Sequence, residues 1–151
     1  MVFLQVSNNG YRIGRGDFLW SFFSTIANNL EEDYWGNKFP YILDKFCQGE
    51  LKGEDISNAK EELLIIREKL KEFSPSNVIW DAEDLNKQPP WGNDISKDIT
   101  DLSNYFVTCE GEDLFDVIFE AFNYAQETKQ GVIIRNIDYN DPSVTYFDAR
   151  G

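Results

Sequence analysis

Apolar positions along the chain fall either into short β-prone runs or into longer runs at helical spacing, and their order predicts the elements. Val2-Phe3-Leu4-Gln5-Val6 is a strand stopped at Ser7-Asn8-Asn9-Gly10, whose Asn and Gly residues suit a tight turn; Tyr11 to Ile13 is its hairpin partner. After Gly14-Arg15-Gly16, Asp17 stands where it would cap a helix in which Leu19, Phe22, Phe23, Ile26 and Leu30 share one face. Tyr34 to Pro40 reads as a loop. Pro40 then suits the first turn of a short helix reaching about Cys47, with Gly49 as its stop.

The clearest periodicity runs from Glu54 to Phe73, where Ile56, Ala59, Leu63, Ile66, Leu70 and Phe73 recur at steps of three and four. Leu64 and Ile65 widen this stripe and predict cover on more than one side, while Glu61, Glu62, Glu68, Lys69 and Lys71 read as an ordinary solvated face. Ser74-Pro75-Ser76 ends the helix, and Asn77 to Trp80 reads as a strand. From Asp81 to Ser103 periodicity is lost around Gln88-Pro89-Pro90-Trp91-Gly92. Ordered loops beyond about 12–15 residues are uncommon unless they serve a function.

Asn104 to Thr108 resumes as a strand, and a helix from Glu112 to about Lys129 turns Leu114, Ile118, Ala121, Phe122 and Ala125 inward. Its acidic start, Glu112, Asp113 and Asp116, suits the positive end of the helix dipole. Val132 to Arg135 is a further strand, and Val144 to Phe147 a last one after the Asn140-Asp141-Pro142 turn. This order predicts an α+β fold, an antiparallel or mixed sheet carrying about four helices, with residues 1–151 forming a single domain.

Composition then narrows the function. Apolar residues make up 42% of the 151 positions and aromatics 15%, enough for a core. The chain has no histidine, which removes the usual general base, the usual partner of a serine or cysteine nucleophile and the commonest zinc ligand. Cys47 and Cys109 lack CxxC spacing and are expected to be buried thiols. No apolar run approaches the roughly 18 residues that cross a bilayer, and Met1 to Val6 lacks a signal-peptide pattern, so a cytoplasmic protein is expected.

With 27 acidic against 14 basic side chains the net charge is −13. Nucleic acid and anionic membranes are disfavoured partners for such a surface, and a basic protein is a favoured one.

Three constellations invite chemistry. Gly10 to Gly16 places Gly and Arg before a helix, yet its spacing matches neither GxGxxG nor the Walker pattern, and Arg12 and Arg15 are expected to pair with the chain's own carboxylates. Asp81, Glu83, Asp84, Asp94, Asp98 and Asp101 supply oxygen ligands without the DxDxDG order of a calcium loop, so no metal and no cofactor are expected. Nor are catalytic residues expected. Trp91, stiffened by two prolines, either presents its ring to a partner or folds back beneath the loop. Trp20, Trp35 and Trp80 lie in or beside apolar segments and are expected in the core.

Taken in order, Gly16-Asp17-Phe18-Leu19-Trp20-Ser21-Phe22-Phe23-Ser24-Thr25-Ile26, Trp35-Gly36, Trp80-Asp81-Ala82-Glu83-Asp84, Pro89-Pro90-Trp91-Gly92, Asp101 to Thr108 and Gly111 to Phe115 resemble the immunity protein 70 family of bacterial polymorphic toxin systems. The resemblance spans about Tyr11 to Arg135. It implies a cytosolic antidote that binds and neutralises a cognate toxin, and it brings no catalytic residues. A basic nuclease cleft is the kind of target that the net charge suits. The expected toxin-facing residues are Asp81, Glu83, Asp84, Trp91, Asp94 and Asp98, with Glu112 and Asp113 at the start of the last helix. The competing reading is an acidic interaction adaptor without a toxin partner, and a carboxylate enzyme comes third; a toxin gene immediately upstream separates the first two.

A metal-free chain should melt at the same temperature with and without excess chelator, because removing a ligand bound only by the native state lowers stability. A clear drop in melting temperature with chelator would show that the carboxylates hold an ion.

Overall fold

The structure, a computed structural model, describes residues 1–136 and the strand 145–147. It is an α+β fold. Strands β1 (Val2–Val6), β2 (Asn9–Gly14), β3 (Glu50–Leu51), β4 (Val132–Asn136) and β5 (Thr145–Phe147) form one sheet in the order β3-β4-β1-β2-β5. The first four are antiparallel to their neighbours and β5 runs parallel to β2, which makes the sheet mixed. Pairing of Val6 with Asn9 leaves Ser7-Asn8 as the hairpin turn, Ser7 taking a φ of 55°. The expected turn at 140–142 lies outside the described residues.

Helix α1 (Gly16–Leu30) packs on β2, α3 (Leu114–Thr128) lies across β1, β2 and β4, and α2 (Ile56–Leu70) packs on both helices from behind. Every expected core position of the three helices is buried except Phe73, which lies beyond α2 and is half-buried. Asp17 does not cap α1. Arg15 is the residue at the cap, because Gly16 already adopts helical conformation, and Asp17 sits in the first turn with Arg15 donating to its carboxylate at 2.9 and 3.1 Å.

Pro40–Phe46 is a π-helical segment, closed by Cys47 N–H donating to the Ile42 carbonyl at 3.0 Å. Its N-terminal amides are capped from another element: the Glu62 carboxylate of α2 accepts from Ile42 N at 2.9 Å and Tyr41 N at 3.3 Å. Glu62 is therefore not part of a plain solvated face. Burial pushes its carboxyl above the ordinary value, against the two amides that favour the charge.

Other expectations fail for identifiable reasons. Leu64 and Ile65 are 56% and 50% exposed, so α2 is covered along one stripe alone. Asn77 to Trp80 is not a strand, since Pro75–Asn77 forms a 3-10 turn and Ile79 pairs with helix side chains instead of a sheet. Asn104 to Thr108 is not a strand either: Val107 makes one isolated bridge, to Asp113. Cys109 is exposed and Cys47 half-buried, its thiol pushed up to about 11, chiefly by burial and then by Asp44.

Gly36 closes the loop before the π-helical segment at a φ of 88°, and a Cβ built there would run into the Asp44 carboxylate. The adjoining Trp35 indole donates to the Leu43 carbonyl at 2.8 Å, which draws the loop and the segment together. Gly36→Ala should cost about 2–4 kcal/mol in urea unfolding, combining left-handed strain with the clash. Gly92→Ala is the comparison, because Gly92 also has positive φ, 55°, but nothing within 4 Å; it should cost about 1 kcal/mol. Equal costs would mean that Asp44 does not constrain Gly36.

Candidate functional site

The long loop owes its position to a polar stripe on α1. Ser21, Ser24 and Thr25 are fully buried, yet each is satisfied by the passing chain. Ser21 Oγ donates to the Ile79 carbonyl at 2.7 Å, Thr25 Oγ1 accepts from Ile79 N at 3.0 Å and donates back at 3.2 Å, and Ser24 Oγ accepts from Ala82 N at 3.1 Å. Asn29 adds a bond to the Asn77 carbonyl at 3.0 Å. The chain is thus anchored along the helix where the loop begins.

Beyond Asp81 the loop is a succession of turns closed by its own short polar side chains. Asp81 Oδ1 accepts from the Trp20 indole and from Glu83 N, both at 2.9 Å, and Oδ2 lies 3.4 Å from Lys87 Nζ. These bonds, Trp20's first, hold the Asp81 carboxyl below the usual range. Gly92 N donates to the Pro89 carbonyl, and Asn104 Oδ1 accepts from Thr100 N and Asp101 N. Leu102 N donates to the Phe73 carbonyl, pinning the far end to the tail of α2.

Trp91 folds back onto the residues beneath the loop. Its ring stands edge-on to buried Trp80 with centroids 5.3 Å apart, and its Nε1 donates to the Tyr105 hydroxyl at 2.8 Å. It nevertheless remains 38% exposed. Tyr105 touches Phe106, which meets Phe22, and the contacts continue through Phe23 and Phe46 to Phe122. Trp91 is the solvent end of this run of rings.

Two concave regions flank the loop. One is an apolar groove of about 380 Å³ walled by Phe18, Trp91, Ile95, Ile99, Tyr105 and Val107, with Asp94 and Ser96 at its edge. The other, about 300 Å³, lies at the end of α1 between Ala82 and the Glu31-Glu32-Asp33-Tyr34-Trp35 stretch. Tyr34 there is 66% exposed, and Trp20 stacks on Trp35 at 5.3 Å. Both of those tryptophans are half-buried rather than core. Nothing in the periodicity marked Glu31 to Tyr34 as part of the surface, because their placement depends on the loop returning over α1.

The eight expected site residues therefore separate. Glu83, Asp84, Asp94 and Asp98 are exposed; Asp94 lies beside Trp91 at the groove, and Glu83 and Asp84 follow Ala82 of the second cleft. Asp81 is engaged with Trp20. Asp113 caps α3, accepting from Phe115 N at 2.8 Å, and Arg67 approaches its Oδ1 to 3.5 Å. Burial raises its carboxyl above the ordinary value and outweighs the pull of Arg67. Glu112, half-buried, precedes the helix, with its backbone carbonyl accepting from Thr108 N at 2.8 Å. Arg12 and Arg15 pair with Glu110 and Asp17, as expected.

Among the described residues no helix is long and apolar enough to cross a membrane. A model of the family described as immunity protein 70 matches residues 4–134. The chain belongs to that family, whose matched span takes in all of α1, the long loop and α3. Comparison with curated proteins and with solved structures returns no match.

Because its ring is half in contact with Trp80 and Tyr105, Trp91→Ala should lower stability by about 2–3 kcal/mol, less than the roughly 3–5 of a fully buried aromatic. Tyr105→Phe removes the acceptor alone and should cost about 1 kcal/mol. Urea unfolding of both variants checks the pair; a Trp91→Ala cost under about 0.5 kcal/mol would mean that the ring is not held.

Proposed function

We propose that the protein is an immunity protein: it binds a toxin made by the same cell or its neighbours, in the cytosol, and holds it inactive without catalysis of its own. Membership of the immunity protein 70 family carries this reading. The chemistry of the chain agrees with it, since an inhibitor of this kind needs a complementary surface and neither histidine nor cofactor. The binding face is the loop 81–103 with its exposed Glu83, Asp84, Asp94 and Asp98 around Trp91. A net charge of −13 favours a basic target, such as a nuclease whose cleft is built for phosphate.

Co-expression with the toxin encoded beside this chain should restore growth, and the two proteins should co-purify. Their association rate should fall steeply between low salt and roughly physiological ionic strength, where the screening length is about 8 Å. Reversing Asp94 and Asp98 to lysine should slow association while leaving the melting temperature unchanged. Growth arrest despite soluble protein would sink the immunity reading, and a rate indifferent to salt would sink the electrostatic part.

A further inference from the structure

We infer that the groove beside Trp91 receives an apolar side chain of the bound toxin, flanked by lysine or arginine that meets Asp94 and Asp98; this rests on the immunity function proposed above. The groove is walled by apolar atoms, and two of its walls, Trp91 and Val107, are 38% and 44% exposed. A concave lining that is mostly apolar with a few polar groups is the usual form of a binding site. A volume of about 380 Å³ accommodates about one or two large side chains, the scale of an interface anchor.

Charge selects the occupant. Among the described residues no lysine or arginine lines the groove, Asp94 is part of its lining, and exposed Asp98 directly precedes the lining residue Ile99. The neighbouring Lys97 offsets part of this charge locally, but the chain as a whole carries −13. A second copy of the chain would bring the same charge to the same face and is repelled. A polar small molecule finds few directional partners, because the lining offers only Asp94, Ser96 and the hydroxyl of buried Tyr105, whose oxygen already accepts the Trp91 N–H. A hydrophobic side chain with basic neighbours satisfies both the walls and the rim.

The groove is also set before binding. Trp91 is fixed by Trp80 and Tyr105, and Tyr105 and Phe18 both abut buried Phe106, so little side-chain freedom is lost when the anchor enters.

The test uses the full chain and the purified toxin encoded beside it, with affinity measured by calorimetry. Val107→Asp places a charge on the groove wall and Asp94→Lys reverses its edge; each should weaken binding by more than about tenfold. Leu64→Asp, on the exposed side of α2, should stay within about twofold. Hydrogen exchange of the wild-type complex should show protection of amides 91–107, a readout that survives if Val107→Asp fails to fold. Unchanged affinity in folded Val107→Asp, or no protection of 91–107 in a complex that forms, overturns the groove as the anchor site and leaves the immunity reading standing. A wild-type chain that neither binds nor protects overturns that reading and this inference together.

Discussion

Helix α1 is buried on two opposed sides, and the rest of the molecule is arranged to make that tolerable. Its apolar residues face the sheet and the other two helices, which hydrophobic burial alone explains. Its Ser21, Ser24 and Thr25 face inward too, and a hydroxyl left unpaired in such a place costs about 1–3 kcal/mol. The chain meets this demand with its own backbone, laying 77–82 along the helix so that Ile79 and Ala82 supply the partners. From that docking follow the position of Trp80 beneath Trp91, of Asp81 against Trp20, and of the whole loop beyond.

The same interaction explains what was legible in the sequence and what was not. The three long helices, the opening hairpin and β4 follow from local periodicity, and the structure places them within a few residues of expectation. Val78 and Ile79 look like a strand because they are apolar and β-branched. Val78 is extended but donates its N–H to the Pro75 carbonyl, and Ile79 pairs with hydroxyls from a helix more than fifty positions earlier, which no local window contains. Leu64 and Ile65 misled in the opposite sense: apolar spacing widens a predicted face whether or not a neighbour exists to cover it. At the site, the acidic loop and Trp91 could be read directly, whereas the Glu31–Tyr34 stretch joins the surface through tertiary folding alone.

The carboxylates divide by task. Asp81, Asp113 and Glu62 each accept hydrogen bonds that hold one element to another or close a helix end. Glu83, Asp84, Asp94 and Asp98 are left on the surface. Counting acidic residues therefore overstates the charge free to act on a partner, since part of it is internal carpentry.

The turns of the loop are closed by a few short polar side chains, among them Asp81, Asp101 and Asn104. Between these anchors stand Leu85, Gln88, Asn93 and Lys97, all exposed. Apart from Asp84, whose exposed carboxylate also accepts from Asn86 N at 3.2 Å, geometry and surface chemistry are thus written in different residues of one segment. The intervening positions can therefore be exchanged one at a time, changing what the surface offers while the bonds that close the turns stay in place.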